Sequence, residues 1–386
     1  MTTPTAYHAP RIFDGTGWHD DCALLVEGGR VAGIVSQDMA EDMAPGGIAI
    51  KGMIVPGLVD LQVNGGGGVL FNNDPTPAGI GAICAAHAGF GTTAVMVTMI
   101  TDTADMTAKG IAAAKAAAGR QPGFLGLHLE GPHLAYARKG THDPAMIRPM
   151  TDADLAMLIA GAAELDRLIC TVAPESVGLA QVAALAQAGA IVSLGHTDCS
   201  HDTARAYADA GARMVTHLFN AMGQLGHRSP NLTGAALDDG RLWAGLIADG
   251  FHVDPAVLRI ALRAKSGPAG LFLVSDAMST VGSTATGLVL NGRQILRADG
   301  RLTLDDGTLA GADIALIDAV RYLHVNLGVA LDRALHLASG SPAAAIGLTG
   351  HGHLRPGARA DFLSLTPQIT CDGTWIGGER VAGLRP

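Results

Sequence analysis

The alternation of short apolar segments with alanine-rich segments is the strongest constraint on the fold of this chain. Eight apolar segments have the length and composition of buried β-strands, at residues 53–63, 93–98, 123–129, 168–173, 191–194, 214–216, 242–248 and 271–275. Segments with helical composition lie between them, at residues 104–119, 151–165, 179–189, 200–211 and 254–265. Strands that alternate with helices form parallel sheets, and eight such units predict an α/β fold with a (β/α)8 TIM-like barrel.

An open, doubly wound parallel sheet is the competing architecture. That fold commonly binds a dinucleotide through a glycine-rich fingerprint, which this sequence lacks. Polar residues also follow at least five of the predicted strands, which is more than a single switch point in an open sheet accommodates. The barrel is therefore the favoured prediction.

Both ends of the chain consist of short strand-like segments with tight turns. Such segments flank the turn at residues 27–30 and recur at residues 361–365 and 371–381. Neither end has enough strands to close a core, so we expect the two ends to form one small β-sandwich together. The predicted domains are residues 1–54 and 351–386 for the sandwich and residues 55–350 for the barrel. Further helices are expected after the eighth strand, within residues 307–350.

Composition excludes several classes of partner. The formal net charge is −9, whereas nucleic acid or an anionic membrane would require a basic face. No apolar segment reaches the roughly 18–20 residues that span a bilayer. The five cysteines are odd in number and widely spaced, which indicates reduced thiols. The first residues lack the features of a signal peptide, so the expected location is the cytoplasm.

Three potential metal ligands each follow a predicted strand: Glu130, His196 and His217. In a parallel barrel the carboxyl ends of the strands meet at one face, where active sites form. Hydrolytic zinc centres use three such ligands and lower the pKa of a bound water to about 7. The alternative is that the two histidines only form hydrogen bonds at loop entries. Together with Glu130 they favour a hydrolytic metal centre.

A fourth polar residue, Asp276, ends the segment 271–275. A carboxylate there can take a proton from a water at the metal and return it to a leaving group, which is general acid/base catalysis. The alternative is an N-cap for a helix that begins near Met278. The neighbouring metal ligands favour the catalytic interpretation.

Five motifs occur in order along the chain, at residues 128–132, 195–197, 216–222, 247–254 and 274–277. They read HLEGP, GHT, THLFNAM, IADGFHVD and VSDA. Together they resemble those of the N-acetylglucosamine-6-phosphate deacetylases, a family of the amidohydrolase superfamily. The resemblance extends from residues 56–60 to residues 356–361. It implies a metal-dependent hydrolase that converts N-acetylglucosamine 6-phosphate to glucosamine 6-phosphate and acetate, and a homodimer.

The resemblance also implies a role for each matching residue. Glu130, His196 and His217 match the metal ligands, Asp276 matches the catalytic aspartate, and His142 is placed to polarise the acetyl carbonyl. The residues that match substrate contacts are Thr141, His142, Asn220, Ala221, Arg228, His252, Leu309, Ala310 and Gly311. Within this set, Arg228 and His252 match the phosphate-binding pair.

The number of metal ions follows from the end of the first strand. Many amidohydrolases carry His-x-His there and bind two metals, whereas this chain carries Gln62 and Asn64. Neutral amides are poor zinc ligands beside imidazole, so the second site is expected to be empty or weak. We therefore expect one divalent metal per subunit, zinc by preference, in a site that also tolerates Fe2+.

One departure from the family pattern concerns the sugar. The family usually continues past the phosphate-binding arginine with Glu-Pro-Gly, whereas here Arg228 is followed by residues 229–231, Ser-Pro-Asn. This change leaves open another amino sugar phosphate, such as N-acetylgalactosamine 6-phosphate, as the substrate. An N-acyl amino acid hydrolase and a catalytically inactive barrel that binds sugar phosphates are the remaining alternatives.

Overall fold

The computed structural model describes residues 4–383. The strands of these residues are, in chain order, β1 Thr5–Phe13, β2 Trp18–Glu27, β3 Arg30–Ser36, β4 Ile48–Ala49, β5 Met53–Pro56, β6 Leu58–Val63, β7 Gly65–Gly66, β8 Val69–Leu70, β9 Thr92–Ile100, β10 Phe124–Glu130, β11 Leu168–Val172, β12 Ile191–Leu194, β13 Met214–Val215, β14 Trp243–Leu246, β15 Leu271–Leu273, β16 Gly287–Leu290, β17 Arg293–Ala298, β18 Arg301–Thr303, β19 Leu309–Ala312, β20 Phe362–Leu365, β21 Cys371–Ile376 and β22 Glu379–Gly383.

The helices of the same residues pack mainly around the barrel strands. They are α1 Gln37–Met43, α2 Pro77–Ala88, α3 Ala104–Ala117, α4 Asp152–Glu164, α5 Leu179–Gln187, α6 His201–Ala210, α7 Asn231–Asp238, α8 Pro255–Ala264, α9 Leu316–Leu327, α10 Leu331–Ala338 and α11 Gly340–Ala345, with a short 3-10 helix at Tyr136–Arg138. None of these helices combines the length and the apolar character needed to cross a membrane.

Eight parallel strands form the central sheet in the order β6, β9, β10, β11, β12, β13, β14 and β15. Backbone hydrogen bonds join the carboxyl end of β6 to the residues that follow β15. The Asp276 N–H donates to the Gln62 carbonyl over 3.0 Å, and the Asn64 N–H donates to the Ala277 carbonyl over 2.9 Å. The sheet is therefore closed, which confirms the predicted barrel and excludes the open sheet.

The barrel strands are apolar along their whole length because both of their faces are covered. All nine residues of β9 are buried, for example. Small residues let the surrounding helices pack closely. A Cβ atom on Gly161 of α4 would lie 3.2 Å from Ile111 of α3, so alanine there would crowd that contact. Side-chain hydroxyls cap several of the helix starts, as Thr151 does for α4.

The two ends of the chain form one sheet in the order β22, β21, β20, β5, β1, β2, β3, with β4 beside β1. The prediction of a single strand over residues 53–63 was wrong in one respect. β5 pairs with β20 in this terminal sheet, and only β6 belongs to the barrel. Gly57 separates them where the backbone passes so close to Thr93 that a Cβ atom would lie 2.0 Å from its Oγ1. The sheet is curved, so that Gly378 lies close to Val26. It encloses a small core in which Phe362 stacks on Trp375.

A four-stranded antiparallel sheet, β16–β19, follows the last barrel strand. We call it the capping sheet. The prediction of helices within residues 307–350 was wrong for the first residues of that range. β19 completes the capping sheet there, before α9 begins. The apolar face of the capping sheet packs on Ile100, the last residue of β9, and on Met278, which follows β15. The capping sheet therefore lies over the carboxyl-terminal face of the barrel.

Candidate active site

Strand ends bring the predicted metal ligands together. Glu130 is the last residue of β10, and His196 and His217 each lie two residues past their strands. The φ angle is +48° at His196 and +28° at His217, and it is +51° at Asp276. Residues with side chains rarely adopt this left-handed region, and such conformations concentrate at functional sites. The backbone therefore turns abruptly where each of these three side chains enters the site.

The ligand atoms form a compact triangle. Glu130 Oε1 lies 2.9 Å from His217 Nε2 and 3.2 Å from His196 Nε2, and the two histidine nitrogens are 3.1 Å apart. Ligands about 2.0–2.2 Å from a tetrahedral zinc lie about 3.3–3.6 Å from one another. The triangle is thus slightly tighter than a loaded zinc site. All three residues are buried.

His142 completes a second, wider triple with Glu130 and His196. Its Nε2 lies 4.0 Å from Glu130 Oε2, and its ring packs edge-on against His196. The triple of Glu130, His196 and His217 has the shorter separations and is therefore the more compact candidate metal site. His142 lies beside this triple, with its Nε2 directed towards Glu130.

The hydrogen bonds of His196 test whether these residues suit a metal. Its Nδ1 lies 2.7 Å from the Arg138 carbonyl oxygen, which can only accept a hydrogen bond. Nδ1 therefore carries a proton, and a neutral His196 ring in this tautomer presents the lone pair of Nε2 to the centre of the triangle. An outer carbonyl that orients a histidine in this way is typical of metal ligands. The donor set fits a divalent cation.

The electrostatics agree with that assignment. Burial alone would raise the pKa of the Glu130 carboxyl, but the adjacent His196 and His217 side chains hold this pKa well below its usual range. Burial opposes a charge on His217, yet the Glu130 carboxylate raises its pKa overall. Glu130 is therefore ionised, and it stabilises positive charge at the centre of the triangle.

Gln62 and Asn64, the two amides at the His-x-His positions, hold Asp276 beside the ligand triangle. Asn64 Nδ2 donates to Asp276 Oδ1 over 2.7 Å, and Gln62 Nε2 donates to the same oxygen over 3.1 Å. Gln62 Nε2 also lies 3.2 Å from both oxygens of Glu130. Burial, and then the charge of Glu130, raise the pKa of Asp276 to about 6. The amides thus direct N–H donors rather than lone pairs towards the carboxylates.

A cavity of about 380 Å³ opens above these groups. The residues of the predicted site that line it are Glu130, Thr141, His142, His196, His217, Asn220, Ala221, His252, Asp276, Leu309 and Gly311. Two predicted substrate contacts do not line it. Ala310 is fully buried and packs into the core of the capping sheet, because side chains alternate along β19. Arg228 is exposed on the loop before α7.

His252, the other predicted phosphate contact, is oriented by a nearby carboxylate. Its Nδ1 lies 2.6 Å from Asp249 Oδ2, and both side chains are buried. The other ring nitrogen of His252, Nε2, is the one available to a ligand in the cavity. Of the predicted phosphate pair, only His252 therefore lines the cavity of its own chain.

Several cavity residues were absent from the sequence-based site. Ile100, Ala137, Arg138, Gly140, Ile247, Met278 and Thr308 also line the cavity. Ile100 and its neighbour Thr101 lie at the end of β9, where the strand-end rule would have found them had the strand not been predicted to stop at residue 98. Thr308 lies in the turn before β19, and no local pattern in the sequence indicates that this turn folds back over the barrel.

Comparisons with known proteins agree with this geometry. The profile of the Amidohydrolase family matches residues 53–381. An N-acetylgalactosamine-6-phosphate deacetylase from Shewanella sp. (strain ANA-3) is 38% identical over 363 residues, 93% of this chain and 91% of the relative. An N-acetylglucosamine-6-phosphate deacetylase from Bos taurus is 36% identical over 344 residues, 85% and 83% of the two chains. The crystal structure of N-acetylglucosamine-6-phosphate deacetylase from Pasteurella multocida superposes with a TM-score of 0.92 at 29% identity, covering 98% of this chain and all of that one.

Proposed function

Because the chain belongs to the amidohydrolase family, we propose that it hydrolyses the acetamide of N-acetylglucosamine 6-phosphate to glucosamine 6-phosphate and acetate. The observation that carries this proposal is the buried ligand triangle of Glu130, His196 and His217 with Asp276 beside it. Relatives with this activity in their names match most of the chain, which supports the same substrate class.

The residues have distinct tasks in this reaction. Glu130, His196 and His217 would hold a divalent metal, whose positive charge would acidify water and polarise a carbonyl. Asp276 takes a proton from the attacking water and returns it to the departing amine nitrogen. Its pKa near 6 suits both tasks, because the carboxylate form predominates at neutral pH and reprotonation is not prohibitive. His142 donates a hydrogen bond from Nε2 to the acetyl oxygen.

We assign one metal ion per subunit, with zinc preferred and Fe2+ tolerated. One carboxylate and two imidazoles are ligands that both ions accept. Gln62 and Asn64 support the single ion, since their N–H groups are directed at Glu130 and Asp276. A second cation there would meet hydrogen-bond donors instead of lone pairs.

The galactosamine epimer is the second candidate substrate, and two observations favour it. The Shewanella relative carries that name and is 38% identical over 93% of this chain. The sequence Ser-Pro-Asn at residues 229–231 also replaces the usual Glu-Pro-Gly beside the predicted phosphate contact. The two substrates differ only in the configuration at one sugar hydroxyl, so the same catalytic groups serve both.

We also propose a homodimer in which the exposed Arg228 reaches the substrate phosphate of the partner subunit. The position of Arg228 outside the cavity of its own chain supports this arrangement. His252 lines that cavity and would contact the phosphate from its own subunit. The five free thiols support the cytoplasm as the location, because oxidising compartments favour disulfides.

The decisive experiment measures acetate release and metal content on the same preparation. The panel contains the 6-phosphates of N-acetylglucosamine and N-acetylgalactosamine, the two unphosphorylated sugars and an N-acetyl amino acid. Turnover that is highest on the glucosamine phosphate, with one metal per chain, is the expected result. Preference for the galactosamine phosphate selects the second candidate. Metal binding without turnover on any member would refute the hydrolase and leave the inactive sugar-phosphate-binding barrel.

A further inference from the structure

Thr101 follows β9 directly and is fully buried beneath the active site. The backbone before it is held by Asn72. The side-chain oxygen of Asn72 accepts from the Ile100 N–H over 3.1 Å, and its amide donates to the Ile100 carbonyl over 3.0 Å. The same amide donates to Asp102 Oδ2 over 2.9 Å. Asn72 therefore holds the residues on both sides of Thr101, namely Ile100 and Asp102.

Two polar groups of Thr101 contact Nδ1 of His142. The Oγ1 hydroxyl lies 2.7 Å from His142 Nδ1, and the Thr101 backbone N–H donates to that nitrogen over 3.4 Å. The opposite ring nitrogen, Nε2, faces the cavity side, 4.0 Å from Glu130 Oε2. Thr101 therefore contacts the part of the ring that does not face the metal ligands.

The donors and acceptors around Nδ1 determine where the ring carries its proton. The backbone N–H can only donate, so it needs the lone pair of Nδ1. The hydroxyl has one proton and two possible acceptors, His142 Nδ1 at 2.7 Å and the Glu130 carbonyl at 3.4 Å. Because the backbone N–H requires a lone pair on Nδ1, that atom carries no proton, and the hydroxyl at 2.7 Å donates to it as well. A ring whose Nδ1 accepts is neutral and carries its proton on Nε2.

We propose that Thr101 is a positioning residue that holds the proton of His142 on Nε2, so that this ring donates a hydrogen bond to the acetamide oxygen. With the proton on Nδ1 instead, Nε2 would direct a lone pair at that oxygen and repel it. The inference rests on the proposed deacetylation, because it identifies which residue prepares His142 for that reaction.

The surrounding backbone leaves room for this contact. Gly131 directly follows Glu130, has a φ angle of +87°, and a Cβ atom there would lie 2.2 Å from Thr101 Oγ1. Any side chain at residue 131 would displace the hydroxyl from His142. Glycine is therefore required at residue 131 for two reasons, the positive φ angle and the closeness of the Thr101 hydroxyl.

The test compares Thr101→Val with Thr101→Ser in the metal-loaded enzyme. Valine keeps the shape but removes the hydroxyl, so we expect kcat to fall about 10-fold or more with little change in KM. Serine keeps the hydroxyl and should recover most of the turnover. The control is Thr92→Val at the other end of β9, where the buried hydroxyl has no partner among the described residues. Equal losses in the valine and serine variants would overturn the proposal.

A second comparison separates positioning from a structural role. If Thr101 acts through His142, Thr101→Val should cost little further activity in a His142→Gln background. Independent losses that multiply in the double variant would refute the proposed coupling. The melting temperature and metal content of each variant identify any general loss of folding.

A spectroscopic measurement keeps this inference distinguishable from the proposed function. In 15N-histidine-labelled enzyme, the signals absent from His142→Gln identify the ring, and their shifts show which nitrogen is protonated. We expect the Nε2–H form in the parent enzyme and an altered tautomer balance in Thr101→Val. The Nδ1–H form in the parent, or no change in the variant, would overturn the role of Thr101. The expected tautomers in a protein that deacetylates nothing would instead refute the proposed function alone.

Discussion

The Nε2 atoms of His196 and His217 lie 3.1 Å apart and face the same carboxylate oxygen. The Nδ1 proton of His196 is committed to the Arg138 carbonyl, so a neutral His196 ring has only a lone pair to offer at Nε2. Such a convergence of lone pairs and negative charge in a buried site is costly without a cation. A proton on His217 provides one, and a divalent metal provides a better match to all three ligands.

The first prediction concerns metal binding. His217→Ala removes one of the three ligands, so we expect metal content to fall from about one equivalent to a small fraction, with turnover lost in parallel. Dialysis of the parent enzyme against a chelator should abolish turnover, and added zinc should restore it. The measurement is elemental analysis together with acetate release.

A matched histidine outside the site provides the control. His201 on α6 pairs with Asp202 and Asp238, away from the cavity. His201→Ala should keep full metal content and turnover. Retention of one tightly bound metal by His217→Ala would contradict the assigned ligand set.

The second prediction concerns the proposed acid/base. Asp276→Asn keeps the shape of the side chain but cannot take a proton, so kcat should fall about 10²–10⁴-fold. Metal content should stay near one equivalent, because the triangle does not include Asp276. Steady-state kinetics with metal analysis checks both. A variant with near-normal kcat would remove Asp276 from this role.

The third prediction concerns the phosphate. Arg228→Ala should raise KM for phosphorylated substrates by about 10-fold or more, while turnover of the unphosphorylated sugar changes little. Arg263, another exposed arginine, lies on α8 and serves as the control, since Arg263→Ala should leave both substrates unaffected. Equal losses on phosphorylated and unphosphorylated sugars would contradict a phosphate contact by Arg228.

The fourth prediction concerns stability and pH. Asp60 is fully buried, and burial raises the pKa of its carboxyl to about 7, with a further contribution from the charge of Asp276. In the unfolded chain this carboxyl has an ordinary pKa of about 3.9. Between these values the folded state retains a proton that the unfolded state loses, so this contribution to stability declines as pH rises through 7.

Asp60→Asn removes that dependence because the amide does not titrate. We expect the free energy of unfolding of the parent, relative to the variant, to fall by roughly 3 kcal/mol between pH 5 and pH 8. Denaturant unfolding of both proteins at each pH measures it. A difference between the two proteins that is independent of pH would show that Asp60 ionises normally in the folded state.

The barrel and the main site residues could be predicted because they depend on local patterns. Apolar segments between helical segments predict parallel strands, and the carboxyl ends of parallel strands meet on one face whatever the details of packing. Glu130, His196, His217 and Asp276 could therefore be grouped without knowing any contact between them. The five motifs then indicated the family, which the match over residues 53–381 confirms.

Features that depend on contacts between distant residues could not be predicted in this way. The partition of residues 53–63 between two sheets depends on pairing of β5 with β20, more than three hundred residues later along the chain. The fold of the capping sheet over the site, and the exclusion of Ala310 from the cavity, depend on how β16–β19 pack against Ile100 and Met278.

Residue types and strand ends are local properties, so they indicate the kinds of chemical groups in the site and the face of the fold where these groups meet. The pairing of these groups is a property of the folded chain, because the partners are far apart in sequence. Gln62 donates to Asp276 across 214 positions of the chain, and Thr101 directs His142 across 41. Hydrogen-bond direction depends on three-dimensional distance and on competing partners, and neither is encoded in the spacing of residues along the chain.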